Sequence, residues 1–444
     1  MRALITLFLL ICAAHAFAEP GSVALERATL ARMAALPIGE DMAVAAFPAG
    51  PGVLTRIRFK RIEVYAPGAR IFVIDDAGQQ EVPRSTDTQL LGYSDDGLVR
   101  VALTLDPTFT SAPQGAGSGT SGSFVVHAQR QGNLWRFSAL NPRDILPDGV
   151  TPRFVANDDS LDNPEAQPMP LAHLAGATAP TGALRFATVA VDTDTNFMSE
   201  RFAGNTSQAT TWIASLFTQM NIGYERDVNV QLQQGTTFLR TASDPYNNTT
   251  FPADQTTLVE FGNYWQANYT GGAGNVSRDF AMLLSGNSTS GNSAAGIAWV
   301  NAYCLTSGSF GSYSINQIFT NSGIGVALSA SLVAHELGHN FGAAHTHCSD
   351  ATTGNYPVAT NTIDQCSNLG NGCYAGATSC PVSGPGAPQG TLMSYCNLYN
   401  NGACGQNVLE FHPTHINLLN TRIAANTPGC LSLNSDLIFA HGFE

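Results

Sequence analysis

Two patterns of apolar and polar positions divide the chain. Across residues 19–165 short alternating runs recur, such as Arg56-Ile57-Arg58-Phe59 and Ile71-Phe72-Val73-Ile74, with Gly- and Pro-containing turns between them. Alternation with period two predicts strands that bury one face, so this part reads as a small β-rich domain. A glycine-bearing loop at 115–122 is expected to interrupt it. The Pro- and Ala-rich stretch at 163–182 has no periodicity and reads as a linker, set at 166–183.

From 184 to 432 strands and helices alternate. Residues 184–191 predict a strand, and Ala209, Trp212, Ile213, Leu216, Phe217 and Met220 fall at helical spacing. A strand at 228–232, a helix at 258–268, and strands at 280–284 and 297–300 follow. This order predicts an α/β (α+β) domain, a twisted mixed sheet with helices packed on it.

Length and composition narrow the class. The 444 residues exceed one ordinary domain, and 44% hydrophobic against 12% charged residues supply ample core. Net charge is −13 and Lys60 is the only lysine, so no basic track for nucleic acid is present. At the N-terminus Arg2 precedes a short apolar run, and Ala16-Phe17-Ala18 forms an A-x-A cleavage site. Residues 1–18 therefore read as a signal peptide, since the run is too short to span a bilayer. No later run is long enough for a membrane span.

Cysteines agree with export. Cys12 leaves with the signal peptide, and the rest are Cys304, Cys348, Cys366, Cys373, Cys380, Cys396, Cys404 and Cys430. An even set of eight without paired C-x-x-C knuckles reads as disulfides, in any of about 105 pairings.

The chemistry concentrates at His335-Glu336-Leu337-Gly338-His339. Four residues apart on a helix, the two imidazoles share a face and can reach one zinc ion. Glu336 lies about 100° round the helix, a bearing that suits a base acting on water beside the metal. Val333, Leu337 and Phe341 form an apolar stripe that would fix this helix on the sheet. His345 offers a third ligand, provided the chain turns back after the helix. Gly342 permits this, because glycine takes the left-handed conformation that ends helices. Three protein ligands with an open fourth position are the catalytic pattern for one zinc. His347 competes as third ligand but stands two residues further on, and reads as a loop histidine behind the site. His412 and His415 lack an adjacent acid and read as surface or packing residues.

The full run H-E-L-G-H-N-F-G-A-A-H at 335–345 resembles the metzincin metalloproteases, in particular their reprolysin (adamalysin-like) branch. The resemblance covers about 184–432 and implies zinc-dependent cleavage of protein or peptide substrates by a secreted endopeptidase. It makes Met393, in Thr391-Leu392-Met393-Ser394-Tyr395, the methionine turn beneath the metal. Tyr395 is then either a weak fifth ligand that swings to stabilise the oxyanion or a packed turn tyrosine. Two features depart from typical reprolysins: Thr346 stands where they carry Asp, and Cys396 follows the turn rather than preceding it. By the same resemblance Val189 to Asp194 opens the domain and 221–228 ends its first long helix. Gly296, Ile297, Ala298, Trp299 and Val300 form the cleft-edge strand, along which substrate would add as an antiparallel strand. Cys304 would pair with Cys430.

Residues 19–165 occupy the position of a pro-domain, expected to inhibit its own catalytic domain in an otherwise monomeric protein. No cysteine lies between 19 and 303 to reach the zinc, so another ligand or plain occupancy of the cleft must serve. Residues 433–444 form a tail whose I-F-x-x-G-F-E ending resembles those of exported Gram-negative proteins and hints at sorting or surface retention. The Asn205 and Asn275 glycosylation sequons read as incidental in such a host. Calcium is compatible with such a domain, but no D-x-D-x-D-G loop supports it. Two other function classes remain: a narrow pappalysin-like processing protease, and a zinc-stabilised adhesin, against which Glu336 argues.

Overall fold

The computed structural model describes residues 21–155, 161–162, 183–247, 250–306, 308–384, 387–426 and 430–433. The expected signal peptide, linker and C-terminal tail lie outside the described residues, save for the ends of the linker and tail ranges.

In chain order the N-terminal part forms β1 (Ser22–Glu26), α1 (Arg27–Ala34), β2 (Asp41–Gly50), β3 (Val53–Arg61), β4 (Ile71–Asp75) and β5 (Gly78–Val82). β6 (Thr88–Ser94), β7 (Arg100–Leu105), β8 (Gln114–Gly119), β9 (Gly122–Gln131) and β10 (Leu134–Leu140) follow. Eight of these build one antiparallel sheet in the order β1-β10-β9-β8-β7-β6-β3-β2. Strict alternation drives it: in β10, Trp135, Phe137 and Ala139 point inward while their neighbours face outward. The loop expected at 115–122 is instead β8 and the start of β9. Its glycines are strand residues under close approach, since a Cβ at Gly117 would strike the Phe124 ring.

The remaining elements are β11 (Arg153–Phe154), β12 (Leu161–Asp162), β13 (Arg185–Thr193), α2 (Thr206–Val228), β14 (Val230–Arg240) and α3 (Gln255–Tyr269). Then come β15 (Phe280–Ser285), β16 (Ser293–Val300), β17 (Tyr313–Gln317), α4 (Val326–Phe341), α5 (Pro413–Asn426) and β18 (Ser432–Leu433). The second sheet is mixed, ordered β11-β16-β17-β15-β13-β14-β4-β5, with β12 on β16 and β18 on β13. The expected mixed α/β architecture is present, and β14 runs eight residues beyond its expected end at 232, to Arg240.

The two halves of the sequence are not two separate sheets. The β4–β5 hairpin leaves the first sheet, and β4 pairs in parallel with β14 from Ile71–Thr237 to Ile74–Arg240. Ile62, Val64, Tyr65 and Ile71 share one apolar cluster with Ala187, Leu232 and Phe341. Between the sheets lies α2, buried along most of its length, as a helix packed on several sides must be. Two of its polar positions bond across the junction: Thr218 Oγ1 donates to Gln89 Oε1 at 2.8 Å, and Thr104 Oγ1 to Ser215 Oγ at 3.1 Å. Asn205 caps α2 by accepting from the Gln208 N–H.

Candidate active site

Helix α4 carries the first two histidines, and its far face explains its placement. Val333, Leu337 and Phe341 are fully buried, with Phe341 stacked on Phe280 at 4.6 Å between ring centres. The Asn340 side-chain amide donates to the carbonyls of Trp299 at 2.9 Å and Tyr313 at 3.0 Å, tying α4 to β16 and β17.

The helix ends at Gly342, whose φ of 119° is left-handed. The Ala343 N–H reaches the Gly338 carbonyl at 3.0 Å and the Gly342 N–H reaches that of His339 at 2.9 Å. This is the Schellman arrangement, and it turns the chain back so that His345 faces the helix. His339 Nε2 then lies 3.1 Å from the Nε2 of both His335 and His345. Tetrahedral ligands at ordinary zinc–nitrogen distances stand about 3.3 Å apart, close to this spacing.

The protonation pattern fits a metal. His335 Nδ1 donates to the Leu392 carbonyl at 2.8 Å and His339 Nδ1 to that of Ala343 at 2.7 Å. Each Nε2 therefore presents a lone pair to the common centre, an arrangement that needs a cation between them. Burial holds the His335 pKa down at about 4, and burial with the neighbouring imidazoles keeps His339 and His345 well below the ordinary histidine range. The ligands are thus neutral and metal-ready. The residues fit one zinc.

Glu336 is also buried, which raises its pKa well above the carboxylate range. Its carboxyl group lies against β16 at Gly296, where a Cβ would collide with it. Glu336, His335, Gly296, Leu332, Tyr395 and Asn407 line one cavity. The predicted edge strand thus meets the predicted base at a single glycine; Ile297, Ala298, Trp299 and Val300 continue the strand and are buried.

The turn at Met393 supports both ends of the ligand set. Met393 is fully buried, and a Cβ at Gly338 would sit 2.6 Å from its sulfur. Leu392 supplies the carbonyl that orients His335, and the Met393 carbonyl accepts from the Thr346 N–H at 3.1 Å. Thr346, the departure from the reprolysin pattern, is thus bonded to the turn. Ser394 Oγ donates to Asp364 at 2.6 Å and anchors the turn from outside. The Tyr395 ring centre lies 4.2 Å from that of His345 and 6.1 Å from that of His335.

The cysteines pair as Cys304–Cys430, Cys348–Cys373, Cys366–Cys396 and Cys380–Cys404. The first is the pairing the resemblance implies; two of the others fasten the segments that carry His345 and Met393. His347 is buried, its ring stacked on that of His345 at 5.5 Å and its Nε2 donating to the Leu369 carbonyl at 3.0 Å. His415 is fully buried, 3.1 Å from Ser349 Oγ. Its partner lies 66 positions away, a separation that no local sequence pattern reports.

The reprolysin model of metallo-peptidase family M12 matches residues 183–409. The chain belongs to that family: it is a reprolysin-like M12 metallopeptidase. Its three-histidine site is compatible with the zinc dependence of the family. Among the described residues, no helix is long and apolar enough to cross a membrane.

Proposed function

We propose that the protein is an exported zinc endopeptidase in which His335, His339 and His345 hold the metal and Glu336 is the general base. The observation that carries this reading is the contact of the Glu336 carboxyl with β16 beside three converged imidazoles. Zinc bound there supplies Lewis-acid activation of water and of the scissile carbonyl. A substrate strand on β16 would bring its scissile peptide past Gly296. Glu336 would take the proton of the attacking water and pass it to the leaving amine. Tyr395, whose ring packs on His345 and which lines the same cavity, would donate to the developing oxyanion. Four disulfides support export to an oxidising compartment.

The N-terminal part acts in this reading as an inhibitor. β11 pairs with β16 at Ser293 and Ala294, β12 pairs with it at Trp299 and Val300, and both run parallel to it. Substrate is expected antiparallel, so the protein's own segment takes the same edge with reversed polarity. Phe154 and Val155 line the cavity shared with His335 and Glu336.

Two measurements test the reading. Casein hydrolysis by the processed enzyme should cease on chelation and return with one equivalent of zinc; hydrolysis indifferent to chelator contradicts a zinc enzyme. N-terminal sequencing of the active species should place its start beyond Asp162. A fully active species that begins near residue 20 contradicts the inhibitor role.

A further inference from the structure

The three ligands are not held in the same way. His335 and His339 are each oriented through Nδ1 by a carbonyl, Leu392 and Ala343 respectively. His345 stands beyond the end of α4 in extended backbone, with φ −60° and ψ 144°, so the helix does not fix it. Among the described residues no carbonyl takes its Nδ1. Its own carbonyl is gripped instead. Ser349 Oγ donates to the His345 carbonyl at 2.9 Å, and the Cys348 N–H donates to it at 3.0 Å.

Behind Ser349 stands His415, from α5, with Nε2 at 3.1 Å from Ser349 Oγ. The serine hydroxyl has one proton and gives it to His345, so His415 must be the donor in the second bond. This fixes His415 as the Nε2–H tautomer and fixes the serine rotor toward His345. Both side chains are fully buried, out of competition with water. Among the described residues His415 Nδ1 meanwhile has no partner. A buried imidazole with one nitrogen unpaired is a poor choice for packing alone, where an aliphatic side chain would fill the space without an unmet acceptor.

We infer that His415 is a positioning residue: through Ser349 it sets the backbone of His345 and hence the direction from which the third imidazole meets the metal. The inference rests on the proposed zinc site. It assigns a function to α5, an element that reaches the third histidine through Ser349.

The test uses the full-length protein and two readouts that need no turnover: zinc affinity by chelator competition, and the visible absorption of the cobalt-substituted form. Ser349→Ala, which removes only a hydroxyl, and His415→Leu should each weaken zinc binding by about 10- to 100-fold, the usual effect of losing a partner behind a ligand. Both should alter the cobalt bands. His415→Gln, which places an N–H at the same number of bonds from the backbone, should recover most of the affinity. Combining Ser349→Ala with His415→Leu should add little to either alone. Wild-type affinity and an unchanged cobalt spectrum in Ser349→Ala would overturn the inference, as would a His415→Gln variant no better than His415→Leu. A wild-type protein that binds no zinc at the three histidines would instead overturn the proposed function itself.

Discussion

The carboxyl group of Glu336 rests on the backbone of Gly296, so closely that any side chain at that position would displace it. One residue thereby sets the distance between the strand that should hold substrate and the group that should move its proton. Gly296→Ala is expected to leave the fold and zinc content intact and to lower kcat by about 100-fold, the scale of a misplacement near 1 Å. An alanine variant with wild-type kcat would show that Glu336 has room to move.

Tyr395→Phe separates the two readings of that residue. Removing the hydroxyl should lower kcat by about tenfold with little change in KM, as expected for a group that acts on the oxyanion. Equal kinetics would reduce Tyr395 to a ring packed on His345.

The segment on β16 can be loosened while the three histidines and Glu336 are left unchanged. Phe154 packs edge-on against Phe319 at 5.1 Å, within a cluster that includes Leu328 and Leu332 of α4. Phe154→Ser should raise peptide hydrolysis by the unprocessed chain about tenfold, corresponding to about 1.4 kcal/mol of lost segment docking. No increase would place the restraint elsewhere.

A cut confined to 163–182 should not separate the halves. β4 extends the sheet of β14, and the hydroxyls of Thr218 and Ser215 on α2 bond Gln89 and Thr104 across that cut. Elastase-nicked protein should therefore elute as one particle on gel filtration and remain inactive. Dissociation on nicking would contradict this.

Much of the site was readable because its determinants are local. The spacing of His335, Glu336 and His339 is a property of one helix, and Gly342 announces the turn that His345 needs. Met393 lies 58 residues beyond His335 and became meaningful through family resemblance rather than pattern. What escaped is carried by contacts between distant segments. Glycines at 115, 117 and 119 read as a loop because the partners that require them, Phe124 among them, are visible only once strands pair. Alternation found β4 but could not say which sheet it joins, and nothing in the local sequence aims His415 at Ser349 or lays 153–154 and 161–162 along β16.

The acid-side behaviour of the fold has its own signature. Burial pushes Asp279 up from 3.8 to about 7, although its carboxylate accepts the Thr188 N–H at 2.8 Å. The folded state then keeps a proton that the unfolded chain has lost, so this group's contribution declines as pH rises from 3.8 to about 7. Asp279→Asn should match wild type in Tm near pH 4 and exceed it at pH 8. A constant difference across that range would contradict the shift.

The central claim is that three histidines hold one zinc while Glu336 does the proton transfer, and Glu336→Gln separates the two functions in one sample. Zinc content and casein hydrolysis should be measured on the same processed wild-type and variant proteins. One zinc per chain is expected in both, with turnover in the variant lowered at least about 100-fold. A variant that keeps its zinc and hydrolyses casein at the wild-type rate would contradict it.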